Sequence, residues 1–118
     1  MVRILGIETS CDETAIGIVE DGRRVLSNAV ASSLALHGPY GGVIPEIACR
    51  AHVETIWGVL TTALQDADMS LTDVDAIGVT QGPGLPGALV VGLAFAKGLA
   101  LSLERPLIAV DHLAAHLY

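Results

Sequence analysis

The run Gly87-Ala-Leu-Val-Val-Gly-Leu-Ala-Phe-Ala-Lys-Gly-Leu-Ala-Leu-Ser-Leu103 constrains the fold more than any other part of the chain. It is apolar on nearly every side of a helix, so a helix built from it calls for a buried place. It falls short of the roughly 20 apolar residues of a comfortable membrane span, and Lys97 interrupts it. A soluble helix packed against other elements is the better reading. Its flanks say what those elements are. "DAIGVTQ" precedes it and "PLIAVD" follows it, both short and apolar, with the length and composition of buried strands. Strand, helix and strand in this order make a parallel crossover unit.

The N-terminal third follows a different rule. "VRILGIETS" reads as a buried strand ending in small polar residues. "ETAIGIVED" alternates, with Ala15, Gly17 and Val19 on one side and Ile16, Ile18 and Glu20 on the other. Asp21-Gly22 then separates it from a third β-rich run, and Asp-Gly between such runs is a strong hairpin signal. After a Gly/Pro-rich loop, Pro45 fits the first turn of a helix. Ile47, Ala48, Ala51, Ile56, Val59, Leu60, Ala63 and Leu64 continue it at helical spacing. "HLAAHLY" begins a further helix. The predicted order is β-β-β-α-β-α-β-α, an α/β arrangement with a mixed five-stranded sheet. No repeat or linker divides it, so residues 1–118 are read as one domain.

Hydrophobic residues make up 52% of the chain and aromatics 3%. The core is therefore aliphatic, and no aromatic platform for stacking bases is available. The net charge is −7, with Lys97 the one lysine among six basic residues. An acidic chain repels phosphate backbones, so a nucleic-acid substrate has to be gripped from elsewhere. Cys11 and Cys49 read as reduced thiols of a cytosolic protein, and the residues after Arg3 do not form the apolar stretch of a secretory signal.

Three stretches can carry chemistry. "GPGLPG" places Gly82, Gly84 and Gly87 between a strand and a helix, the spacing of a dinucleotide-binding turn, with Asp111 at the end of the next strand. Pro83 and Pro86 remove two backbone donors, which argues against a pyrophosphate cradle. A tight turn that brings the helix close to the sheet, or a loop touching another nucleotide or acyl phosphate, remains open. "ETSCDET" joins the first two strands. Its hydroxyls (Thr9, Ser10, Thr14) and carboxylates (Glu8, Asp12, Glu13) suit a phosphate, a metal-bound phosphate or a general base. A solvated hairpin turn is the plain alternative. The clustering of acids at a strand's C-terminal end favours function, because open α/β sheets bind ligands at that edge. "HLAAH" sets His112 and His116 one helical turn apart, a suitable bite for one metal ion. Leu113 stands where a zinc protease of the H-E-x-x-H type needs its glutamate base. His37, His52 and Trp57 read as loop or packing residues.

Taken in order, "GIETSCDETAIGIV", "YGGVIPEIACRAHVE", "GPGLPGALVVGLAFAKGLA" and "VDHLAAHL" resemble the N-terminal part of the tRNA N6-adenosine threonylcarbamoyltransferase family, formerly called O-sialoglycoprotein endopeptidases. The resemblance runs the whole length of the chain. It implies an actin-like ATPase (ASKHA) half-domain, the N-terminal subdomain of a larger two-domain enzyme. Glu8 stands where actin and sugar kinases typically carry Asp. The resemblance further implies that His112 and His116 ligate one divalent metal, iron (Fe2+) or zinc. It places Asp12 and Glu13 in the cleft, as base or as positioning groups. Threonylcarbamoyl-AMP and tRNA are the implied substrates. A non-catalytic paralogue and a small ATPase are the implied bacterial partners, and the implied location is cytoplasmic, with no membrane. Ala114-Ala115 departs from the pair often found inside the histidine motif. The family continues beyond Tyr118 with a further metal-ligating aspartate and most of the nucleotide-binding residues. A lone terminal histidine pair is under-coordinated, so this stretch by itself is expected to bind metal weakly and to be inactive. Two other functions compete: a non-catalytic pairing or homodimerisation module that uses the helices after Pro45 and Gly87, and a metallopeptidase.

Overall fold

The computed structural model describes residues 1–9, 13–32, 45–82 and 86–111. Five strands form one sheet: β1 (Arg3–Glu8), β2 (Glu13–Glu20), β3 (Arg24–Ser32), β4 (Ala76–Gly82) and β5 (Leu107–Asp111). Two long helices, α1 (Pro45–Asp66) and α2 (Pro86–Leu103), and a 3-10 turn (Leu71–Asp73) connect them. The elements follow the predicted order as far as β5. The helix expected from His112 onward lies outside the described residues.

The strand order is β3-β2-β1-β4-β5, so the first strand is the central one. β1 and β2 run antiparallel, with Leu5 opposite Ile18 and Ile7 opposite Ile16. β2 and β3 also run antiparallel, with an irregularity at Ile18–Val19. The hairpin turn is the one that Asp-Gly predicts. Asp21 and Gly22 have φ of 55° and 69°, and Arg23 N–H closes the turn on Glu20 O at 3.1 Å. Positive φ at both central residues matches the right-handed twist of the flanking strands. On its other side β1 pairs in parallel with β4, and β4 with β5.

Because side chains alternate across a strand, this register sorts them onto two faces. Leu5, Ile7, Ile16, Ile18, Ala29, Ile77 and Val79 form one core with Ile56, Val59, Leu60 and Ala63 of α1 and Ala96, Leu99 and Ala100 of α2. α1 lies over β2 and β3; α2 lies mainly over β4. On the opposite face Gly17, Gly6 and Gly78 stand side by side on β2, β1 and β4. That face also exposes Val25, Val30 and Ile108.

One expectation needs correcting. α2 is not buried all round: Ala88, Ala96, Leu99 and Ala100 are covered, but Val90 is 62% and Leu101 82% exposed. The helix has the sheet beneath it and α1 beside it, and no described element covers its outer side. Between the two helices Trp57 of α1, itself 62% exposed, meets Phe95 of α2 edge-on with ring centroids 5.2 Å apart.

Candidate active-site edge

β1 and β4 are parallel neighbours, so their C-terminal ends open on the same edge of the sheet. There Glu8 and Thr9, at the end of β1, meet Thr80 of β4 and Ala88 of α2. Glu8, the last residue of β1, lies on the face away from the helices. Its carboxylate accepts a 2.5 Å hydrogen bond from Thr80 Oγ1 of β4. Both side chains line a shallow cavity of about 290 Å³ with Ile4, Gly6, Gly78 and Val110. The two glycines keep its floor at backbone level.

Thr9 follows immediately and turns to the helix side. It is 1% exposed, and its Oγ1 donates to Ala88 O in the first turn of α2 at 2.7 Å. This contact needs a glycine one turn further along. A Cβ at Gly92 would overlap Thr9 Oγ1 and lie 3.3 Å from Thr9 Cβ and Cγ2. Pro86 starts the helix, a position where a missing N–H costs nothing. A close approach of helix to sheet is thus made at Gly92, beyond "GPGLPG", whose middle residues lie outside the described ones.

The hydroxyls expected to face a ligand divide differently. Thr9 and Thr14 are both buried on the helix side, and Thr14 Oγ1 accepts from Thr55 Oγ1 of α1 at 3.2 Å. They hold the acidic turn to the two helices. Glu13, the first residue of β2, is exposed beside the end of β1 and opposite Ser32. Asp12, Ser10, His112 and His116 lie outside the described residues, as does the middle of the Gly-rich connection. Asp111 ends β5 beside Gly82. Among the described residues no three His, Cys, Asp or Glu side chains converge as a metal site. None of the described helices is long and apolar enough to cross a membrane.

The pairing of Glu8 with Thr80, and of Thr9 with Ala88, was not read from the sequence. The partners are 72 and 79 residues apart and meet through parallel β-pairing and the following helix. The one available signal was the shared placement of both motifs at strand ends.

Comparison with known proteins gives the lineage. A sequence model of tRNA N6-adenosine threonylcarbamoyltransferase matches residues 24–118. The enzyme of that name from Syntrophobacter fumaroxidans is 60% identical over 114 residues, covering 97% of this chain and 34% of the relative. The one from Brucella anthropi is also 60% identical, over 98% of this chain and 33% of the relative. The chain thus spans about a third of the length of the curated relatives it matches. Among solved structures, YeaZ from Pseudomonas aeruginosa superposes with a TM-score of 0.73 at 24% identity, over 94% of this chain and 43% of that one. RuvC from T. thermophilus superposes at 0.54 with 14% identity, over 96% and 66%. These two likenesses speak to the fold, which is the actin-like α/β half-domain expected from the sequence. On its sequence, the chain belongs to the tRNA N6-adenosine threonylcarbamoyltransferase family.

Proposed function

We propose that this chain is the N-terminal subdomain of a transferase that moves a threonylcarbamoyl group from threonylcarbamoyl-AMP to N6 of the adenosine next to the anticodon of tRNA. The observation that carries the reading is the placement of Glu8, Glu13 and Thr80 on the helix-free face at one sheet edge of a chain from this family. The N6 amine attacks the carbamoyl carbon. The bond from that carbon to the phosphate oxygen breaks, and AMP leaves with the electron pair. The amine proton passes to a base, for which exposed Glu13 and its neighbour Asp12 are the candidates. One divalent ion, iron or alternatively zinc, is assigned to His112 and His116 with further ligands from outside these residues. No part of this proton bookkeeping depends on the ion. The 118 residues by themselves leave the cleft one-sided and are inactive, and the working protein is cytoplasmic.

A second reading, a pairing module, is favoured by a short exposed apolar strip on α1, Val53 and Trp57 one turn apart, and by exposed Val90 on α2. Strips of this kind mark contact surfaces. The two readings are compatible, with this strip as the seat of the non-catalytic paralogue or of a second copy. The small ATPase of the bacterial complex is the remaining proposed partner. A metallopeptidase role has no glutamate base at Leu113 to support it.

The deciding experiment follows label from threonylcarbamoyl-AMP into tRNA with the complete protein and its metal. Glu13→Gln is expected to slow transfer by about 100-fold or more, the scale of a lost general base, with the melting temperature unchanged. An unaltered rate would remove Glu13 from the chemistry. No transfer by the unmodified, metal-loaded protein would overturn the transferase reading.

A further inference from the structure

We infer that the adjacent residues Glu8 and Thr9 form one clamp that fixes the end of β4 against the start of α2. The inference deepens the transferase reading and, for its kinetic arm, rests on it.

The argument is geometric. Successive residues at the end of a strand point to opposite faces of the sheet. Glu8 therefore reaches Thr80, near the end of β4, across the helix-free face. Thr9 reaches Ala88, at the start of α2, across the helix face. One dipeptide thus holds both ends of the connection, entry and exit. The first contact involves a carboxylate and is short, as charge-assisted bonds are. The second is buried, where a hydrogen bond defines geometry most strictly. The Ala88 carbonyl is also the helical acceptor expected for Gly92 N–H. Thr9 therefore inserts its hydroxyl beside an existing helical bond, which is why Gly92 cannot carry a Cβ without a collision. The same dipeptide leads directly into the acidic turn that ends at Glu13. Displacing Glu8 and Thr9 therefore displaces the end of β4 and the start of α2 together. Glu8 and Thr9 are in this sense positioning residues.

The test has a structural and a kinetic arm, both on the complete protein. Thr9→Val removes the hydroxyl and keeps the shape; Thr9→Ser keeps the hydroxyl. Thr80→Val and Thr80→Ser do the same for the other contact. Thr9→Val is expected to speed amide hydrogen exchange of residues 88–92 by about fivefold, the scale of one lost hydrogen bond. It should slow the transfer step by a similar factor while KM for tRNA changes little. Thr9→Ser restores both. Thr80→Val loosens residues 79–82 in the same way and keeps the test alive if Thr9→Val does not fold. The double variant Thr9→Val/Thr80→Val should lose less than the product of the single losses, because two holds on one body are coupled. Losses that simply multiply would mean two unrelated contacts and overturn the clamp. So would unchanged exchange at 88–92 and 79–82, or a serine that fails to restore what valine removed. If the unmodified protein transfers nothing, the transferase reading fails, and the exchange arm still decides the clamp.

Discussion

Gly92→Ala is the perturbation that tests the packing at the site edge most directly. In a helix interior, replacing Gly by Ala ordinarily stabilises by about 1 kcal/mol, because alanine has less backbone freedom to lose. At Gly92 the added Cβ meets Thr9: it overlaps Oγ1 and lies 3.3 Å from Cβ and Cγ2. Rotating Thr9 relieves the first overlap but breaks its bond to Ala88, at a cost of about 1 kcal/mol. The two remaining close contacts force a shift of α2 against β1, and overpacking of this kind costs about 1–3 kcal/mol. Setting the helical gain against these costs leaves a net destabilisation of about 1–3 kcal/mol. The internal control is Gly98→Ala, on the same helix, where a Cβ meets nothing within 4 Å. That variant should be more stable than the parent by nearly the full helical gain. Urea unfolding of the three proteins under identical conditions measures the differences, and equal slopes confirm that the unfolded states are comparable. A second control is Thr9→Ala/Gly92→Ala, which should recover part of the loss. If Gly92→Ala is as stable as Gly98→Ala, the close approach of α2 to Thr9 is wrong. The clamp built on it would then fall too.

Two further outcomes follow from the described residues. Ser27 places a buried hydroxyl among the strands with no hydrogen-bond partner among those residues, so Ser27→Ala should raise stability by about 1 kcal/mol, read as a higher melting temperature. Asp73 holds its carboxyl below the usual range, first through the Ser70 backbone N–H, then through the Ser70 hydroxyl, with a smaller contribution from Arg3. A lowered value favours the folded chain above the unfolded carboxyl's pKa, and that preference is lost as pH falls through the folded one. Asp73→Asn should therefore flatten the acid side of the melting-temperature profile and leave the neutral side parallel to the parent; an unchanged acid limb would refute the assignment.

How far the sequence already contained this picture differs from element to element. The β1–β2–β3 meander was legible because its determinants are local. Period-two alternation at Ile16 and Ile18 picks the buried face, and Asp21-Gly22 can adopt two successive positive φ values. Pro45 marked its helix start for an equally local reason. The exposure of Val90 and Leu101 was not legible, because hydropathy records what a residue is and not how many layers cover it. Thr9 illustrates the same limit at the site. Its composition suggested a hydroxyl offered to a ligand, whereas the parallel β1–β4 pairing turns it onto α2. Only the tertiary pairing, set across 72 residues between Glu8 and Thr80 and 79 between Thr9 and Ala88, decides what Glu8 and Thr9 meet on either side of the sheet.

The central place of β1 also sets an order of events during synthesis. β1 leaves the ribosome before the other four strands of this sheet, and β2 pairs with one of its edges at once through a short hairpin. Its other edge waits for β4, whose pairing begins at Ala76 opposite Ile4. At about 5–20 residues per second, translation needs roughly 4–14 s to advance from Ile4 to Ala76. Throughout that interval the apolar sequence Arg3–Glu8 presents an unpaired strand edge, the kind of surface on which nascent chains associate wrongly. Among the described pairings, the second edge of β1 is thus the one that waits longest for its partner.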